Sequence, residues 1–290
     1  MSFELTPRAL ARACLDQNGC DAIHSIHRTA RRDVAIPCSL TVALALTACR
    51  YASPELNEVL YLHHRGIVTL KNLDPYVNLR CLHLENNALS SLEGLGALVA
   101  LTQLHADGNL LRDVRGVERL RNLTHLSASD NVIECLEHVR NHPSLHTLCL
   151  AGNRLRDARR ALAPLGDVAS LRSLDVSRND ITDADVAETV QTLAPHLELL
   201  FISRGNPVQS DPSDVTTALI RALPRLRWLD DAVVDDDRRR VADARATRGP
   251  DAELRERQRI LQERQNVLDA DRDAFPASCA ALVAARASAS

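Results

Sequence analysis

The chain has 290 residues, of which 46 are Leu, while Phe, Tyr and Trp together make up 2% and Lys occurs once. A formal net charge of −3 argues against a nucleic-acid-binding protein, which would carry a basic face. The sequence has no uncharged apolar stretch of about 18 residues, so we expect neither a membrane-spanning helix nor a membrane partner. A core of Leu, Val, Ile and Ala with so few aromatic residues indicates many small, similar layers, which is typical of a repeat protein.

The N-terminal part of the chain precedes any repeat. Residues 1–10 lack the apolar segment of a secretory signal, and the eight Cys residues show no C-x-x-C pair or zinc-binding spacing. We therefore expect reduced thiols and a cytosolic protein. Residues 21–50 contain an uncharged run at 34–49 that is too short to span a bilayer. We interpret 21–50 as an atypical insertion, either lineage-specific or a translated intron, and disorder is one interpretation of it.

A leucine repeat fills residues 51–208. Successive units begin 22, 22, 22, 26 and 26 residues apart, at Leu79, Leu101, Leu123, Leu145, Leu171 and Leu197. Their common pattern is L-x-x-L-x-L-x-x-N-x-L/I-x-x-L-x-x-L, the leucine-rich repeat. An incomplete unit at 57–78 precedes them, which makes about seven units. One such unit cannot bury its apolar face alone, so neighbouring units must stack.

The spacing predicts an α/β solenoid with one strand per unit. Alternation directs Leu82 and Leu84 into the core and the residues between them outward, so that the strands form a curved parallel sheet. The convex side should consist of 3₁₀-like turns, changing to α-helix in the two longer units. An Asn at the ninth position can bond backbone groups of its own and the neighbouring coil. This predicted Asn ladder comprises Asn87, Asn109, Asn131, Asn153 and Asn179.

The C-terminal third should close the solenoid and extend beyond it. In the last unit Asn206 lies at the tenth position instead of the ninth, which predicts a bulge or a register shift. Residues 209–234 are predicted to form a cap, with Trp228 as a lid on the core and Asp230 beside it. Residues 235–274 are charged, with Leu recurring every seventh residue, and predict one helix. We expect the Ala/Ser-rich residues 275–290 to be disordered.

No local catalytic motif occurs in the sequence, so we expect neither an enzyme nor a cofactor. Histidines instead cluster at the outward strand positions of the first units. A metal site is conceivable there, but a polar recognition surface is more common for this architecture, so we predict partner binding and no metal. The candidate binding residues are Tyr61, His63, His83, Glu85, His105, Asp107, His125 and Ser127.

Two segments resemble a known family. LNEVLYLHHRGI at residues 56–67, followed by LKNL at 70–73, is similar to the opening of the dynein axonemal assembly factor 1 family. GNPV at 205–208 and RLRWLDD at 225–231 resemble the end of that family's repeats and its cap. Pro250 and Arg245 depart from the family's Gly and Trp. The resemblance covers about residues 51–265, and it also implies an N-terminal helix in 1–20.

The resemblance implies a non-enzymatic scaffold that preassembles axonemal dynein arms in the cytoplasm for cilia or flagella. Its implied partners are axonemal dynein chains, chaperones and other assembly factors. Two alternatives share the repeat. One is a protein phosphatase regulatory subunit, although the two 26-residue units count against it. The other is a structural subunit of the axoneme similar to a dynein light chain.

Overall fold

The computed structural model describes residues 53–182, 186–193, 195–207 and 212–287. The predicted N-terminal helix and the insertion at 21–50 lie outside the described residues. The described part is a solenoid of stacked coils, in which each repeat contributes one strand to a continuous sheet.

The sheet has nine strands arranged in sequence order. Each of the first seven is three residues long, and its middle residue is buried. The first eight strands run parallel, whereas the ninth pairs antiparallel with the eighth. The bounds are β1 Val59–Tyr61, β2 Cys81–His83, β3 Gln103–His105, β4 His125–Ser127, β5 Thr147–Cys149, β6 Ser173–Asp175, β7 Leu199–Phe201, β8 Trp228–Leu229 and β9 Ala232–Val233.

The core follows the leucine periodicity. In β1–β7 the central Leu of every strand is fully buried and lies beside the equivalent Leu of the next strand. The return path of the second unit adds Leu92, Leu95 and Leu98, which are also fully buried. Burying each of these side chains contributes about 1.5–3 kcal/mol. Each coil adds a layer of the core that is only one side chain thick. Leu side chains fill such a layer, so almost no larger aromatic side chain is needed.

The predicted Asn ladder is present and links neighbouring coils. Asn109 is typical: its Nδ2 donates to the carbonyls of Leu84 and Ala106, at 3.0 Å each, and its Oδ1 accepts from Leu89 N at 3.1 Å. The same arrangement recurs at Asn87, Asn131, Asn153 and Asn179. Buried backbone groups at the end of each strand are thereby satisfied.

The last repeat absorbs its extra residue without changing register. Leu200 of β7 still pairs with Leu174 of β6, so the predicted register shift is wrong for the strand. The additional residue lies in the turn that follows, where Gly205 adopts a left-handed φ of 69°. Asn206 still accepts from Ile181 N and donates to the carbonyls of Val176 and Ile202. Its side chain therefore continues the ladder from a position one residue later.

The convex side changes from tight turns to helices, as predicted. In the fourth unit the return path contains the 3₁₀ helix Glu137–Val139, and another 3₁₀ helix, Pro54–Leu56, precedes the first unit. The first longer unit contains α1 (Ala158–Leu162), whose start is capped by the Asp157 side chain accepting from Arg160 N. The 3₁₀ helix Ala163–Asp167 follows it, and the next unit carries α2 (Val186–Leu193).

The cap differs from its prediction in the position of Trp228. The end of the core is covered by Leu219 of α3 (Pro212–Ala222) and by Leu223 and Leu229, which follow this helix. Trp228 pairs with Leu199 at an outward position of the sheet and is 36% exposed. The interpretation of Trp228 as a lid on the core is wrong, because strand alternation places its neighbour Leu229 inward instead. Asp230 does join the cap to the last coil, since its Oδ1 accepts from Ile202 N at 2.8 Å.

The charged C-terminal segment forms two helices where one was predicted. α4 (Asp236–Arg248) ends at Gly249, which has a φ of 81°, and Pro250 begins α5 (Pro250–Ala287). A left-handed Gly ends a helix readily, and Pro suits the first turn of the next one. The expectation of disorder is wrong for residues 275–287, since α5 continues through this Ala-rich stretch, which has high helix propensity. In the parts of the chain that the structure describes, no helix is both long and apolar enough to cross a bilayer.

Arginines hold these helices against the cap. Arg239 of α4 donates to the carbonyls of Ile220, Leu223 and Leu226, which lie at and beyond the end of α3. Arg245 pairs with Asp214 and with Glu253, at 2.8 and 2.7 Å. Arg245 is one of the positions at which the chain departs from the family-like motif, and its two ion pairs join α3, α4 and α5.

Candidate partner-binding surface

The outward strand residues form one face of the solenoid, which we call the concave face. Two rows cross it because side chains alternate along each strand. The first row comprises Val59, Cys81, Gln103, His125, Thr147, Ser173, Leu199 and Trp228. The second row comprises Tyr61, His83, His105, Ser127, Cys149, Asp175 and Phe201. His63, Glu85 and Asp107 follow the strands and extend the face.

Rings stack along the N-terminal end of the concave face. The ring centroids of Tyr61 and His83 are 4.8 Å apart, and those of His83 and His105 are 4.7 Å apart with nearly parallel planes. His125 continues the run at 5.1 Å from His105, with its ring tilted by 43°. Neighbouring strands lie about 4.8 Å apart, so parallel in-register pairing places the rings of Tyr61, His83 and His105 at stacking distance. His125 is in register with Gln103 and meets His105 diagonally. This ring stack presents a flat, weakly polar surface.

Hydrogen bonds within the face orient the imidazoles and carboxylates. His83 Nδ1 lies 2.8 Å from Glu85 Oε1, and His83 Nε2 lies 3.3 Å from Cys81 Sγ. Asp107 Oδ1 accepts from the Ser127 hydroxyl and from Ser129 N, at 2.6 and 2.7 Å. These side chains are therefore fixed before any partner arrives.

The face has a defined charge at neutral pH. Burial, followed by the neighbouring imidazole, lowers the pKa of His105 and of His125, which favours the uncharged form of both rings at neutral pH. Burial opposes ionisation of Glu85, but the hydrogen bond with His83 and the nearby imidazoles lower its pKa overall. Neutral rings beside an ionised carboxylate give this end of the face a negative character.

The structure brings the predicted binding residues together but exposes them unequally. Tyr61 and His63 are exposed, and their rings meet edge to face at 6.1 Å. The predicted residues His83, Glu85, His105, Asp107 and His125 are half-buried. Ser127 is only 9% exposed and its hydroxyl donates to Asp107, so it offers little surface, and its predicted contact with a partner stays a prediction. Its position immediately beside the core lets it orient Asp107.

Sequence reasoning missed an apolar patch at the other end of the face. Leu199 is 37% exposed and adjoins Trp228, while Phe201 lies two residues further along β7. Val233 of β9 pairs with Trp228 and is also exposed. Aligning RLRWLDD with the strand pattern L-x-x-L would have placed Trp228 at an outward position. An exposed Trp side chain is a typical anchor of a protein interface, and its apolar neighbours enlarge the area that a partner can bury.

Known proteins share this chain's sequence over most of its length. No protein-family model matches the chain. The Dynein axonemal assembly factor 1 homolog of Drosophila erecta is 46% identical over 211 residues, which cover 72% of this chain and 14% of that protein. The Leucine-rich repeat-containing protein ODA7 of Chlamydomonas reinhardtii is 31% identical over 105 residues, which are 36% of this chain and 24% of that protein.

A solved structure supports the fold independently. The structure of the TLR13–ssRNA13 complex matches 65% of this chain and 30% of that chain, with a TM-score of 0.50 and 17% identity, a likeness that concerns the fold alone. The chain spans only about one seventh of the length of the Drosophila relatives. The family resemblance expected from the motifs is confirmed: this chain is a leucine-rich-repeat protein homologous, over 211 residues, to proteins named Dynein axonemal assembly factor 1 homolog.

Proposed function

We propose that this chain acts in the assembly of axonemal dynein arms, as a non-enzymatic scaffold that binds protein partners through its concave face. The similarity of 46% over 211 residues to a Dynein axonemal assembly factor 1 homolog carries this proposal. The proposed place of action is the cytoplasm, before the arms reach a cilium or flagellum. The proposed partners are axonemal dynein chains, chaperones and other assembly factors.

The concave face supports a binding role because of its size and rigidity. Eight parallel strands spaced about 4.8 Å apart give a face roughly 34 Å long, which matches a folded domain or a long helix of a partner. Its side chains are held by stacking and hydrogen bonds, so little conformational entropy is lost when a partner binds. A preformed surface of this kind suits a scaffold.

The two ends of the face favour two kinds of contact. The apolar patch around Leu199 and Trp228 offers anchors that a partner can bury. The ring stack from Tyr61 to His125 offers imidazole nitrogens and a carboxylate for specific hydrogen bonds. A partner that spans both ends would combine affinity from the patch with specificity from the ring stack.

Disrupting the gene in its own flagellated cells tests the proposal. Electron microscopy of axoneme cross-sections should show loss of outer or inner dynein arms, and the intact gene should restore them. Normal arms in the disrupted cells would refute the assembly role. A phosphatase that co-purifies stoichiometrically with the chain would instead favour the phosphatase-regulator alternative.

A further inference from the structure

Three potential metal ligands meet at the N-terminal end of the concave face. Cys81 and His83 lie on β2 and His105 lies beside them on β3. One ligand atom from each side chain lies within 4.8 Å of the other two, and all three side chains are half-buried. The register of the sheet creates this group, because the residues are two positions apart on one strand and directly adjacent on the next.

A carboxylate orients the central ligand. His83 Nδ1 and Glu85 Oε1 are 2.8 Å apart, so Nδ1 carries the proton and donates it to the carboxylate. The lone pair of Nε2 then faces Cys81 Sγ at 3.3 Å, where a metal can replace the thiol proton. Histidine ligands of metals usually donate their second nitrogen to a carboxylate in this way, which fixes the tautomer and increases basicity.

The surrounding charge favours a cation. The second oxygen of Glu85, Oε2, is buried and makes no hydrogen bond to any described residue. Among the residues that the structure describes, no Arg or Lys forms an ion pair with Glu85 or Asp107. Two carboxylates lie beside the thiol and the imidazoles, and a bound divalent cation would offset their negative charge.

Against the sequence-based expectation of no metal, we propose that Cys81, His83 and His105 bind a zinc-class divalent cation, with water as the fourth ligand. One thiolate and two imidazoles suit Zn²⁺, and an open position is common where only three protein ligands converge. With Zn–S of about 2.3 Å and Zn–N of about 2.0–2.1 Å, a tetrahedral site needs an S···N separation of roughly 3.5 Å, close to the 3.3 Å found between Cys81 and His83. The His105 ring lies parallel to that of His83 with the centroids 4.7 Å apart, so binding requires it to turn and direct a lone pair to the same ion.

Binding exchanges a proton for the metal. The 3.3 Å contact between Cys81 Sγ and His83 Nε2 is a hydrogen bond in which the thiol proton lies towards Nε2. The incoming cation displaces this proton to water and forms a thiolate–metal bond.

Cobalt(II) titration of the purified, reduced full chain tests the site, and the test needs no dynein partner. Co²⁺ should produce a thiolate-to-cobalt charge-transfer band and the strong visible bands of tetrahedral coordination, and Zn²⁺ should remove both. Cys81→Ser should abolish the charge-transfer band, and His105→Ala should abolish the tetrahedral bands. Glu85→Gln should retain the spectrum with about 10–100-fold weaker affinity.

Two matched variants serve as controls. Cys149→Ser removes another half-buried thiol of the same face, and His125→Ala removes the next imidazole of the ring stack, so both should retain the wild-type spectrum. Circular dichroism confirms that each variant is folded. A wild-type spectrum without a thiolate band, or equal loss in Cys81→Ser and Cys149→Ser, would overturn the proposal.

Discussion

The Asn ladder makes a quantitative prediction at Asn109, whose side chain lies in the middle of the early repeats. Asn109→Ala removes three hydrogen bonds of 3.0–3.1 Å, to the carbonyls of Leu84 and Ala106 and to Leu89 N. All three partners are buried, and each unsatisfied buried group costs about 1–3 kcal/mol. We therefore expect the free energy of unfolding to fall by roughly 3–6 kcal/mol, which is a large part of the 5–15 kcal/mol typical of a domain.

Urea unfolding followed by far-ultraviolet circular dichroism measures this loss. Asn122→Ala is the matched control, because the exposed Asn122 side chain makes one bond, to the Val99 carbonyl, and its removal should cost less than about 1 kcal/mol. Asn109→Asp should be at least as harmful as Asn109→Ala, since it places an oxygen against two carbonyls. Equal stability of Asn109→Ala and Asn122→Ala would refute the structural role of the ladder.

Three further substitutions test individual positions by the same unfolding assay. His142 is 3% exposed at the coil position held elsewhere by Leu98 and Leu120, and neither ring nitrogen makes a well-formed hydrogen bond within the described residues. His142→Leu should therefore raise the free energy of unfolding by about 1–3 kcal/mol. Burial, and then Arg121, lowers the pKa of His142, so wild-type stability is fully present above pH ~6.5 and decreases as the pH falls towards the lowered pKa. The variant should lack this decrease, and an unchanged pH profile would contradict the assignment. Gly116→Ala should lower the free energy of unfolding by more than about 2 kcal/mol, because φ is 111° and a Cβ would lie 2.2 Å from the Leu92 carbonyl oxygen. Gly96→Ala is its control and should change the stability little, because the new Cβ would meet only the Arg119 side chain. Arg239→Met should lower the free energy of unfolding by about 2–4 kcal/mol, because three carbonyls lose their donor. Arg238→Met, which removes one exposed bond, should change it by no more than about 0.5 kcal/mol. Similar effects of the two substitutions would contradict the proposed role of Arg239 in holding α4 against the cap.

Residue spacing predicted the solenoid because each repeat of the sequence corresponds to one coil of the structure. A 22-residue period with Leu at fixed positions leaves one way to bury every unit, and the Asn of each unit has one set of buried backbone partners. The change to helix in the longer units was equally visible, since four extra residues per unit need a longer return path.

Other features depended on information that spacing does not carry. The outward position of Trp228 follows from its pairing with Leu199, and the motif resemblance alone did not give that register. The contact between Ser127 and Asp107 depends on side-chain rotamers across two strands. The break at Gly249 and Pro250 was readable from the sequence, but the recurrence of Leu every seventh residue suggested one continuous helix. Sequence predicted which residues share the concave face and left their mutual geometry open.

The central claim is that the chain assists dynein-arm assembly through its concave face. The most direct measurement counts dynein arms in axonemes of cells that lack their own copy and express either the wild-type chain or Tyr61→Arg with Leu199→Arg. Both side chains are exposed, so the variant should accumulate normally while losing partner contacts at both ends of the face. The account predicts that the wild-type chain restores the arms and that the variant fails. Full restoration by the variant, or none by the wild-type chain, would contradict it.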